Sequence, residues 1–119
     1  MVNYNQPQQK ILDKLFNLFQ KGTSAESAQR AHPLIKQYPN AFILWNILGA
    51  SLRNLGKIEK AAFAFEKVTE LNSKYAEGYN NLGVTLNELG KFDKAERAFI
   101  ASLAIKTSKA EIIGSPVSL

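Results

Sequence analysis

Apolar residues recur three and four positions apart along most of the chain. Trp45, Leu48 and Leu52 share one helix face, and Ile58, Ala61, Ala62, Phe65 and Val68 share a face of the next helix. Gly56 separates the two, since glycine takes a left-handed helix cap at low cost. Gly49 and Ala61 are small where two helices must approach, at roughly 8–10 Å between axes. The same order returns 34 positions later as Tyr79, Leu82, Gly83, Leu86, Gly90, Ala95 and Phe99. Aligning 42–75 with 76–109 gives eleven identities in 34 positions without a gap. A fixed period of this length marks stacked helix pairs. The pattern predicts helices over 41–54, 57–71, 75–88 and 91–105.

A fainter copy occupies 8–41, where Leu18, Gly22 and Ala28 keep the register and Ile11, Leu15 and Leu18 fall at the positions of Trp45, Gly49 and Leu52. Leu15 stands where the later copies have glycine, so the first helix pair is expected to sit further apart or tilted. Its second helix is expected to start at Thr23 or Ser24, both good N-caps. Pro33 lies inside that helix and predicts a kink or break near His32. The division is then a loose lead-in over 1–7, three repeats (8–41, 42–75, 76–109), and a tail or truncated further repeat over 110–119, where Gly114, Ser115 and Pro116 should stop any helix.

The order aromatic, Leu-Gly, Leu, then Ala and an aromatic resembles the tetratricopeptide repeat family. The resemblance implies an all-α, right-handed superhelical solenoid of antiparallel helix pairs. It also implies a protein-interaction module whose first helices line a concave groove for a peptide or partner segment. The groove positions it implies are Leu12, Phe16 and Phe19, then Ile43, Asn46, Ile47 and Arg53, then Glu77, Asn80, Asn81, Val84 and Asn87, with Gln9, Asp13, Ala50, Asn54 and Glu88 beside them. One end is apolar, the other rich in asparagine, whose amide both donates to and accepts from a peptide backbone. Asn81 matches the asparagine-ladder position of repeat-bearing glycosylating transferases, though Ile47 and Asp13 do not continue the ladder. Chaperone co-factors of the family grip a C-terminal carboxylate with Lys, Asn, Asn, Lys and Arg. The matching positions are Leu12, Phe16, Ile47, Glu77 and Asn81, which argues against that ligand.

Composition alters this picture little. The net charge of +5 raises nucleic acid as a partner, but the fifteen basic residues spread evenly and most alternate with acids. A protein or peptide partner is therefore expected, and no nucleic acid. The longest apolar stretch, 41–52, is too short for a membrane span of about 20 residues. With no cysteine, a single histidine and no phosphate-cradling glycine loop, neither enzyme activity, metal nor cofactor is expected. Lacking a visible export signal, the protein is expected in the cytoplasm. Two alternatives stand beside the interaction module. One is the N-terminal substrate-recruiting region of a larger glycosyl- or sulfotransferase-like enzyme. The other is a self-assembly module, a homo-oligomer through the uncapped C-terminal edge carrying Phe92, Ala95, Phe99, Leu103 and Ile105, unless Ile112, Ile113 and Val117 fold back over it.

Overall fold

In a computed structural model, residues 5–112 are described; within them the chain forms α1 (Gln9–Lys21), α2 (Ser24–Gln37), α3 (Phe42–Asn54), α4 (Ile58–Leu71), α5 (Ala76–Glu88) and α6 (Phe92–Ile112), with no strand. Each helix packs against the next in sequence. The molecule measures 48 × 43 × 25 Å, and its thin dimension holds two helix layers of about 10–12 Å each. α1, α3 and α5 form one layer, and α2, α4 and α6 the other.

The turns of the second and third repeats are built identically. Gly56 and Gly90 take φ of 80° and 79°. Around them Gly56 N donates to Arg53 O at 3.0 Å and Lys57 N to Leu52 O at 2.9 Å, with the same bonds from Gly90 to Asn87 and Lys91 to Leu86. These two bonds satisfy carbonyls that the helix end leaves open, and only glycine enters this φ without a Cβ clash. The first repeat turns differently. Gly22 has φ of −99°, and Thr23 caps α2 by accepting from Glu26 N at 3.1 Å, with the Glu26 carboxylate beside the Thr23 hydroxyl.

The core is one continuous cluster, with Leu44, Ala61, Phe65 and Val68 at its centre. Glycine sets the helix spacing there. A Cβ on Gly49 would lie 2.7 Å from the Phe65 ring, and one on Gly83 2.7 Å from the Phe99 ring. Gly78 has a different purpose: it lets α5 lie against α4, where a Cβ would meet Val68 Cγ1 at 2.6 Å. In the first pair Leu15 fills the glycine position and is buried. α1 accordingly packs more loosely on α2 than the later partners pack on each other. A crevice of about 310 Å³ opens between them, lined by Ile11, Leu15, Leu18, Pro33 and Leu34, with Lys14 and Arg30 beside it.

Two expectations need correcting. α2 runs unbroken through Pro33 to Gln37. Pro33, at the rim of that crevice, and His32 are exposed, as is Gln29, whose carbonyl loses the amide partner that a proline cannot supply. α6 does not stop at 105 but continues to Ile112. In the second repeat Asn72 ends α4, its side chain accepting from Lys74 N at 3.1 Å and opening the turn. Lys106 occupies that register in α6 and has no such acceptor. Within the lead-in, Pro7 is buried. The expected helix stop at Gly114–Pro116 and the fold-back of Ile113 and Val117 lie outside the described residues.

Candidate functional site

Curvature follows from which helices touch. α1 and α3, and α3 and α5, approach closely, whereas among the described residues the backbones of α2 and α4, and of α4 and α6, stay further apart. A stack whose one layer is in mutual contact while the other splays is concave on the contacting side. That side carries the first helices, the face on which the groove residues were expected.

The first-repeat end of this face is apolar. Phe16 is exposed, and Leu12, Phe19 and Ile43 are half-buried, packed at the margin of the core. At the other end Asn80 and Asn87 are exposed and Val84 and Asn81 half-buried. Glu77 is exposed, and its carboxylate accepts from the Tyr75 hydroxyl. Burial first, then the Glu77 carboxylate, hold that phenol well above its ordinary pKa. The Tyr75 ring in turn lies 4.9 Å from Phe42 and pins the start of α3 to the start of α5.

Two expected groove residues are core residues instead. Ile47 is 2% exposed and belongs to the core cluster, on a helix that both α1 and α5 contact. Asn46 is buried and accepts from Asn81 Nδ2 at 3.1 Å. This amide pair joins the second repeat to the third, so it is spent on packing before any ligand arrives. Arg53, expected to be open to an acidic ligand, is paired with Glu88 across the same two helices.

Sequence reasoning had no pattern for these cross-repeat pairs, since their members are 35 residues apart and only the stacking brings them together. It also missed the seam between α2 and α3. There Ser27 Oγ and Ser51 Oγ are 2.7 Å apart and buried, and Ser51 donates to Ile47 O at 2.8 Å. Ser27 stands at the position of Ala61, and a serine in a small-residue register is the signal that was available.

No helix among the described residues is long and apolar enough to cross a membrane. No curated protein matches the chain. Solved structures share the fold. The first TPR of Spaghetti (RPAP3), bound to HSP90 peptide SRMEEVD, superposes with a TM-score of 0.79 at 19% identity, covering 88% of this chain and 86% of that one. The Sgt2 TPR domain from Aspergillus fumigatus gives 0.80 at 16% identity over 90% and 73%. The Yersinia enterocolitica type III secretion translocator chaperone SycD, in an alternative dimer, gives 0.76 at 17% over 91% and 77%. Family models described as tetratricopeptide repeat match residues 43–75 and 64–97. These matches fall on the glycine turns and packed helix pairs described above, and over residues 43–97 the chain is similar to tetratricopeptide repeats.

Proposed function

We propose that the chain is a non-catalytic protein-interaction module that holds a segment of a partner protein along the concave face of α1, α3 and α5. The observation that carries this reading is the division of that face. Phe16, Phe19, Leu12 and Ile43 form an apolar end, and Asn80 and Asn87 present free amides at the other. An apolar side chain of the partner would anchor on the phenylalanines, since buried aromatic contacts commonly dominate such interfaces. The amides would pair with the partner's backbone, which is nearly blind to sequence. Selectivity would therefore reside at the α1 end.

The Spaghetti repeats, bound to an HSP90 peptide, support peptide holding on this fold. The ligand chemistry here would differ. Leu12, Phe16 and Glu77 stand where a carboxylate clamp needs cations or amides, and Arg53 is occupied by Glu88. The proposed ligand is thus an apolar, uncharged segment, not an acidic tail.

The test is a pull-down with the full chain, followed by titration of peptides from the captured protein. Phe16→Ala should remove discrimination among peptides. Asn87→Ala should weaken all of them alike, by about 1 kcal/mol. Unchanged binding in both variants would mean that the concave face is not the site.

A further inference from the structure

The two ends of the stack are built from different chemistry. At the N-terminal edge α1 carries Lys10, Lys14 and Lys21 in the registers where α3 has Leu44, Leu48 and Leu55. Leu44 and Leu48 are buried, on a helix that packs against α2 of the preceding repeat as well as on α4. At the C-terminal edge the substitution runs the other way. Glu66 and Thr69 of α4 correspond to Ile100 and Leu103 of α6. Those two are 59% and 66% exposed, and with Phe92 at 65% and Phe99 at 37% they form one stripe. Phe92, Phe99 and Leu103 follow one another at seven and four residues and Ile100 lies three before Leu103, so they share a face.

We propose that this stripe is the interface of a closed two-fold dimer in which α6 of one copy lies antiparallel to α6 of a second. Three observations select this occupant. First, head-to-tail stacking would set the apolar stripe against the lysine edge of α1, burying Lys14 where the solenoid needs leucine. Second, α6 runs straight to Ile112, seven residues past the register where α4 ends. The chain therefore makes no turn at 106–109 that would lay a following helix on the stripe, and the helix is long enough to pair along its own length. Third, the charges match under antiparallel pairing. Phe99 and Leu103 lie two residues either side of Ala101, and Glu96 and Lys106 lie five either side. A two-fold axis level with Ala101 sets Phe99 against Leu103 of the second copy, and Glu96 against its Lys106. Both pairs occur twice by symmetry. Neither Glu96 nor Lys106 has an ion-pair partner among the described residues.

This arrangement is isologous, so it closes at two copies and leaves both concave faces open. Sedimentation velocity of the full chain over a wide concentration range tests it. The wild type should sediment as a dimer at high concentration. Leu103→Glu replaces an exposed side chain, so it should keep the helical circular dichroism and sediment as a monomer. Glu96→Lys and Lys106→Glu should each weaken the dimer about tenfold, because each turns two attractions into repulsions. The double variant Glu96→Lys/Lys106→Glu should restore it, which only the antiparallel register allows. A wild type that stays monomeric at every concentration, as it would with its own tail over the stripe, overturns the proposal. So does association beyond two copies, association that survives Leu103→Glu, or a double variant no tighter than the singles.

Discussion

Gly49 under Phe65 and Gly83 under Phe99 are the same contact made twice, at the same 2.7 Å from a would-be Cβ to the ring. Yet Phe65 is 1% exposed and Phe99 is 37% exposed. Local sequence dictates the hairpin, down to the two turn hydrogen bonds. Whether the ring is buried depends on α5, which packs on α4 and has no equivalent on α6 among the described residues. In a stack of repeats, conformation is set within the unit and much of its energy by the neighbour.

The largest test of that comparison is to remove each ring. Phe65→Ala should cost about 3–5 kcal/mol by opening a cavity between two repeats. Phe99→Ala, measured by urea unfolding at concentrations where the chain is monomeric, should cost about 1–2 kcal/mol, since part of the ring is already in water. Equal losses would show that α6 is covered in solution. Next comes overpacking. Gly49→Ala should cost about 1–3 kcal/mol, because Phe65 is enclosed and its ring cannot yield. Gly83→Ala should cost less, since Phe99 has room to swing outward; the two melting temperatures give the answer.

The turn glycines sharpen the comparison by removing the neighbour from it. Nothing lies within 4 Å of a Cβ on Gly56 or Gly90, so only backbone conformation opposes a side chain. Gly56→Ala and Gly90→Ala should each cost about 1–2 kcal/mol, and by the same amount. A clear difference would mean that the third turn adapts because its repeat is at the end. The smallest effect is expected at the exposed Arg53–Glu88 pair, where Arg53→Ala should lower stability by about 0–1 kcal/mol, and less in high salt.

Six helices and their pairing were legible because glycine, aromatic and alanine positions each answer to geometry within one repeat. Observed starts at Phe42, Ile58, Ala76 and Phe92 fall one residue after the expected ones. What the sequence concealed lies between repeats. Ile47 and Asn46 belong by register to a solvent-facing row, yet both are buried once the helices around α3 are in place. Arg53 looked free until Glu88 was brought beside it from the next repeat. The continuation of α6 turned on a single missing acceptor at Lys106, a cue weaker than the glycine stops. Pro33 was overread because its cost depends on the face it occupies. Gln29, the residue whose carbonyl the ring deprives of a partner, is exposed, so solvent can serve it.

The bonded inner layer and the parted outer layer have a mechanical consequence. The line of contact through α1, α3 and α5 lies on one side of the stack, like the spine of a fan. Bending about that line moves α2, α4 and α6 relative to each other without breaking any close backbone approach between them. Changes in curvature are then resisted by the packing of α2 on α3 and of α4 on α5 and not by contacts within the outer layer. A ligand that is too long for the resting arc would be met by a wider arc, and its fit would be read as elastic strain. X-ray scattering should then detect a radius of gyration that departs from the resting shape (15.6 Å over Cα atoms) by an amount that grows with ligand length. A radius unchanged by ligands of different length would show that the arc is rigid.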